Sequence, residues 1–137
     1  MIYVLEIRER AVGKGRPRFN TKTYTTYTPE KTKAFEEKLK IYFIKKYRKP
    51  EVSENPFKIK ILIEFKPPKS TSKKMLQKLC DTPYTKKPDL DNIIKAILDS
   101  LNGLAYKDDN QIVSINAEKK YGLADRIIII LEEIIEE

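Results

Sequence analysis

Lys87-Pro88-Asp89-Leu90-Asp91-Asn92 places two carboxylates at alternate positions, and Asp108-Asp109 supplies two more beyond a short link. If residues 89–91 are still extended where a loop meets a helix, alternate side chains point the same way. Asp89 and Asp91 then face one site while Leu90 turns to the core. Clustered aspartates suit hard divalent cations, because magnesium takes one or two carboxylates together with water and phosphate oxygens. Lys95 and Asp99 follow Asp91 at i+4 and i+8 on one helical face, setting an ammonium beside the acids. The chain has no histidine and one cysteine, Cys80. That removes Cys/His zinc sites, an intrachain disulfide, and serine or cysteine hydrolysis driven by a histidine base. Hydrolytic chemistry must rest on Asp, Glu, Lys or Tyr, or on Mg²⁺, with Mn²⁺ as a substitute, held by carboxylate oxygens.

Each of these residues also has a purely structural reading. Aspartate is favoured at helix starts, where it meets free backbone N–H groups and the positive end of the dipole, so Asp89 and Asp91 could be caps. Lys95 could be half of a surface ion pair worth roughly 0.3–0.5 kcal/mol. Asp108-Asp109 could be a turn. Gly13-Lys14-Gly15 lacks the spacing of a P-loop and reads as a flexible basic loop. Tyr84, beside Lys86 and Lys87, is either an exposed loop tyrosine or an aromatic that stacks on an unpaired base. Cys80 reads as a small core residue.

Charge divides the chain. Residues 1–87 carry 23 Lys/Arg against 9 Asp/Glu, while residues 88–137 carry 5 against 11. A basic body joined to an acidic segment suits a protein that attracts a polyanion and concentrates carboxylates at one place. The 137 residues are enough for one domain, and neither a repeat nor a long Gly/Ser linker divides them. The longest uninterrupted apolar run, residues 127–131, is too short to span a bilayer, and the first residues turn charged at Glu6, so no membrane partner and a cytoplasmic location are expected.

The elements that must position the acids are a strand over residues 2–7, then a basic loop, Gly13-Lys14-Gly15-Arg16-Pro17-Arg18. Thr28-Pro29-Glu30 opens a helix to about Arg48, with Phe35, Leu39, Tyr42 and Phe43 inward. Phe57, Ile59, Ile61, Ile63 and Phe65 alternate with charge, the period of a half-buried strand. Ser72 caps a short helix with Met75, Leu76 and Leu79 on its apolar side, and residues 81–88 form a polar loop. Leu90, Ile93, Ile94, Ile97, Leu98 and Leu101 trace an amphipathic helix closed by Asn102-Gly103. Residues 111–121 and 126–131, rich in β-branched side chains and split by residues 122–125, predict a hairpin. The fold class expected is α+β, a single domain over 1–137 with a mixed β-sheet packed against helices.

Taken together, Lys87-Pro88-Asp89-Leu90-Asp91-Asn92, Lys95, Asp99 and Tyr106-Lys107-Asp108-Asp109-Asn110-Gln111 closely resemble the signature of the RusA family of Holliday junction resolvases. Gly15-Arg16-Pro17-Arg18-Phe19 and Tyr27-Thr28-Pro29 resemble its N-terminal segment. The resemblance implies a homodimeric, magnesium-dependent endodeoxyribonuclease that binds four-way DNA and nicks opposing strands symmetrically. It also implies metal ligation by Asp89, Asp91 and Asp109, with Lys95 as the essential lysine and Asp108 as an alternate to Asp109. The candidate DNA contacts are Lys14, Arg16, Arg18, Lys73, Lys74, Tyr84, Lys86 and Lys87. Two other readings compete with four-way junction resolution: a metal nuclease for flaps or forks, and a non-catalytic basic DNA-binding module. A nucleotide-sugar transferase also uses Asp-x-Asp, but the basic body favours a polymer partner.

Overall fold

The computed structural model describes residues 1–27 and 29–136. Six strands and three helices follow in the order β1 (Ile2–Ile7), β2 (Arg18–Asn20), β3 (Thr25–Tyr27), α1 (Glu30–Tyr47), β4 (Phe57–Phe65), α2 (Lys73–Leu79), α3 (Leu90–Leu101), β5 (Ile112–Tyr121) and β6 (Arg126–Glu133). A 3-10 turn over Asp109–Gln111 leads into β5. This is the expected α+β class. Among the described residues, no helix is long and apolar enough to cross a membrane.

The main sheet has the order β1-β6-β4-β5, with β4 and β5 parallel and the other pairs antiparallel. The hairpin expected between residues 111–121 and 126–131 is therefore not formed: β4 lies between β5 and β6. The cause is the apolar run at residues 127–131, which belongs in a strand with a neighbour on each side. Ile127, Ile129 and Leu131 pair in register with Ile63, Ile61 and Ile59 of β4 and with Ile7, Leu5 and Tyr3 of β1. The link from β5 passes the end of β4, where Gly122 N–H donates to the Phe65 carbonyl at 3.0 Å. A Cβ at Gly122 would collide with the Glu64 side chain. Glu64, expected on a charged outer face, is instead buried and paired with Arg126 at 2.5 Å.

One face of the sheet is covered by α1 and α3, whose Phe35, Leu39, Phe43, Ile93, Ile97 and Leu101 close the core over the β4 and β6 isoleucines. Burying one such side chain stabilises the fold by roughly 1.5–3 kcal/mol. The cap expected at Thr28 lies outside the described residues, and Pro29 stands at the N-cap position of α1. Ser72 does cap α2, accepting from Met75 N–H at 3.2 Å. That helix buries none of its residues, so its apolar side does not join the core, and Cys80 is only partly covered. The acidic tail continues β6 as far as Glu133, whose carboxylate accepts from Ser53 Oγ and Asn55 Nδ2 and is held below its ordinary pKa by those bonds.

Candidate nuclease site and nucleic-acid cleft

Helix α3 carries the acids, and it begins one residue sooner than extended pairing of Asp89 and Asp91 requires. Asp89 is the N-cap, with extended backbone angles, while Leu90 and Asp91 already belong to the first turn. The two side chains therefore do not share a face by strand parity. Asp89 makes no side-chain cap hydrogen bond although it holds the cap position. Asp91 and Lys95 are exposed, and among the described residues neither has an ion-pair partner. Neither the capping account of Asp89 nor the surface-pair account of Lys95 describes what these groups do here.

The other acids gather at the far end of the same helix. Gly103 turns the chain with φ +77°, its N–H donates to the Tyr106 carbonyl at 2.8 Å, and the buried Tyr106 hydroxyl donates to the Leu98 carbonyl at 2.7 Å. The link thus folds back at once and brings Asp109 beside Asp99, not to the helix start. Asp91 and Asp99 are separated by roughly 12 Å of helix rise. Burial, then the charges of Asp108 and Asp99, push the Asp109 carboxyl above its ordinary pKa. Burial and the same acids raise the Tyr106 phenol far above its ordinary value. Gln111 fixes the loop: its side-chain carbonyl accepts from the Lys107 and Asp108 N–H groups, and its amide donates to the Ser53 and Asn55 carbonyls, each at 2.8 Å.

Beside the start of α3 lies an open cleft of about 790 Å³, walled by residues 10–18, the beginning of α1 and Lys87-Pro88-Asp89. Asp89 is the one acid among the described lining residues, against Arg10, Lys14, Arg16, Arg18, Lys31 and Lys87. Two of these cations are committed elsewhere. Arg10 pairs with Asp125 at 3.0 Å. Lys14, expected to meet DNA, is largely buried between Glu36 at 2.6 Å and Asp99 at 3.2 Å, so it serves as an internal clamp rather than a phosphate contact. Arg16, Arg18, Lys31 and Lys87 remain without an ion pair among the described residues.

Nor is the Gly13-Lys14-Gly15 segment a flexible loop. Lys14 N–H donates to the Asn92 carbonyl at 2.8 Å and Gly15 N–H to Thr32 Oγ1 at 3.0 Å. A Cβ at Gly13 would press on Pro88 and Asn92 at 3.1 and 3.2 Å, and one at Gly15 would meet Pro29 at 2.7 Å. The glycines let the strap lie flat against α1 and α3.

The sequence model of the RusA endodeoxyribonucleases matches residues 10–132, from the strap through most of β6. The chain belongs to the RusA endodeoxyribonuclease family. It is also similar to an uncharacterized protein of Bacillus subtilis (strain 168), YqaN, with 30% identity over 129 residues that cover 90% of each chain.

The acids of the RusA-like motif thus fall in two clusters, one at the start of α3 and one beside its end. Among the described residues, no three Asp, Glu, Cys or His side chains converge to hold an ion by themselves. The donor chemistry still fits a hard divalent cation. Every candidate ligand is a carboxylate, Asp89 and Asp91 are uncommitted, and a magnesium ion typically needs only one or two of them beside water and phosphate oxygens.

Two further corrections concern the loop before Asp89. Tyr84 is buried, stacked on Phe65 with ring centroids 4.1 Å apart and edge-on to Tyr121 at 5.0 Å, so it has no free face for a base. Its hydroxyl donates to the Lys87 carbonyl at 3.2 Å. Lys119 of β5, which sequence reasoning missed, donates to the Lys86 and Pro88 carbonyls at 2.7 Å each. Together they fix the backbone that delivers Asp89. Lys86 is exposed in this loop, while Lys73 and Lys74 sit on α2, away from the cleft lining.

Proposed function

We propose that this RusA family member is a divalent-metal-dependent endonuclease that resolves four-way DNA junctions by paired nicks in recombination and repair in the cytoplasm. The observation that carries the reading is Asp89: a carboxylate at a helix start, free of any cap bond, on the wall of a cleft whose other charged lining residues are all cations. A phosphodiester drawn in by Arg16, Arg18, Lys31 and Lys87 would lie against that acid. Held by Asp89 and Asp91, Mg²⁺ or Mn²⁺ would supply an activated water and charge neutralisation at the leaving oxygen.

The chain's own residues do the remaining work. The free guanidinium and ammonium groups bind and orient the backbone. Lys95, one turn beyond Asp91, offers an ammonium to the negative charge that develops on the phosphate. Tyr84 and Lys119 keep the Lys87–Asp89 backbone in place. One chain carries one such cleft, whereas a four-way junction presents two symmetry-related strands, so a homodimer matches the substrate.

The test is to incubate the protein with a synthetic four-way junction, a flap, a fork and plain duplex, with and without Mg²⁺. Symmetric nicks in the junction only with metal support the reading. Preferred cutting of flaps or forks would move the protein to another branched substrate, and binding without any nicking would leave a DNA-binding module.

A further inference from the structure

Strands β2 and β3 form a two-stranded hairpin that does not join the main sheet. Asn20 builds its turn, with its side-chain carbonyl accepting from Lys22 N–H at 2.9 Å and Thr23 N–H at 3.3 Å. Phe19 is 56% exposed and Tyr24 81%, their rings edge-on at 6.4 Å, and Tyr27 is 47% exposed. A two-stranded hairpin is marginal alone, and its large apolar side chains would ordinarily be turned towards a core. Here they face water. Tyr24 moreover sits at φ +54°, in the left-handed region that a side chain enters at a cost and that glycine or asparagine normally takes. Strain at an exposed aromatic points to use of that side chain rather than to packing.

The surroundings say what would meet these rings. Residues 10–29 contain five Lys/Arg and no acid, and the first hairpin residue, Arg18, is on the wall of the Asp89 cleft. An aromatic pair rooted at the rim of a cationic cleft is suited to a polyanion that also offers flat π faces, which is nucleic acid with unstacked bases. Plain duplex hides those faces; a branch point exposes them.

We propose that the hairpin spanning residues 18–27 is a base-stacking element that reads the branch point. Phe19 and Tyr24 lie against bases exposed there, while the cleft at the hairpin's root holds the adjoining backbone. This rests on the branched-DNA reading above and adds to it the element that distinguishes branch from duplex. Phosphate contacts alone are blind to that difference.

The experiment compares wild type with Phe19→Ala/Tyr24→Ala and with Phe19→Tyr/Tyr24→Phe, without metal. Each binds a four-way junction carrying 2-aminopurine at the branch point, and linear duplex of equal length. The alanine pair is expected to weaken junction binding by roughly tenfold or more, to leave duplex binding within about twofold, and to abolish the protein-induced change in 2-aminopurine fluorescence. The aromatic-for-aromatic pair should retain all three wild-type properties. Equal losses on junction and duplex, or no loss on either, would overturn the proposal. So would a changed mass by light scattering with junction affinity intact, which would make the hairpin a contact between protein chains. If wild type itself does not prefer the junction, the branched-DNA reading falls and takes this proposal with it. A preference that survives the alanine pair removes the hairpin's role alone.

Discussion

The two ends of helix α3 carry the same residue type in opposite states. At the N-terminal end Asp89 and Asp91 are solvent-facing carboxylates with no hydrogen-bond or ion-pair partner among the described residues, beside a cationic cleft. At the C-terminal end Asp99 is tied to Lys14, and Asp109 holds its proton more tightly than usual because of burial first and then the charges of Asp108 and Asp99. An uncommitted acid can be given to a substrate or an ion at no cost to the fold. A crowded one must be relieved by a proton or a cation. The helix therefore separates an end whose carboxylates have no partner among the described residues from an end whose charge bears on stability.

The sharpest way to break this contrast is Asp91→Asn. Because Asp91 makes no side-chain hydrogen bond or ion pair among the described residues, the variant is expected to melt with wild type, losing at most the dipole contribution of about 0.3–1 kcal/mol. Metal-dependent nicking should fall by about 100-fold or more, since a charged oxygen donor becomes neutral, while junction binding holds or tightens. A nicking assay, a gel shift and a thermal melt on one preparation decide it. Wild-type nicking would remove Asp91 from the chemistry. Next in size is Lys95→Met, which keeps the aliphatic stem and helix propensity. A loss of about 10–100-fold in single-turnover nicking, with binding and melting unchanged, is expected if the ammonium stabilises developing charge. Cutting at the wild-type rate would make Lys95 a solvated surface residue.

Smaller still is the effect of neutralising the strap. Arg16→Gln with Arg18→Gln should weaken binding to all DNA forms and lower the slope of log affinity against log salt by about two, one counterion per lost phosphate contact. Unchanged slopes would place the DNA path elsewhere. Lys14→Gln should behave differently, because Lys14 has its partners inside the protein: stability is expected to drop while the salt slope stays.

That difference between Arg16 and Lys14 also marks what the sequence makes legible. Helix α3, strand β4 and the Ser72 cap follow from local period and chemistry, so they could be read along the chain. The basic character of residues 10–18 could be read too. The partners of Lys14 come from two distant helices, and the stacking of Tyr84 on Phe65 joins two separate elements. No spacing reports either. The strand order failed for the same reason: short separation suggested that β5 and β6 pair, whereas the apolar run in β6 needed β1 on one side and β4 on the other. The motif marked Asp89, Asp91 and Asp109 as candidate acids, but only the first two could be placed at the helix start, because they lie two residues apart. Asp109 returns across a link whose turn depends on Gly103 and on Tyr106 reaching Leu98.

The smallest expected effect tests the crowded end directly. Asp109 has a raised pKa in the folded protein, caused first by burial and then by Asp108 and Asp99. The folded state thus binds this proton more tightly than the unfolded chain does. Its contribution favours folding at pH values below the ordinary aspartate pKa and is lost as pH rises through the raised one. At neutral pH the ionised side chain is a burden on the fold. Asp109→Asn removes the charge and nearly keeps the shape, so the variant should melt higher than wild type at pH 7, by about 1–3 °C for a chain of this size. The gap should close as pH is lowered towards 4, where wild type relieves the crowding by protonation. Asp91→Asn is the matched control, the same change of residue type at the other end of α3. Melting curves of the three proteins between pH 4 and 7 make the comparison without DNA or metal. If Asp109→Asn and Asp91→Asn track wild type alike across that range, the two ends of α3 do not differ in the way their geometry implies.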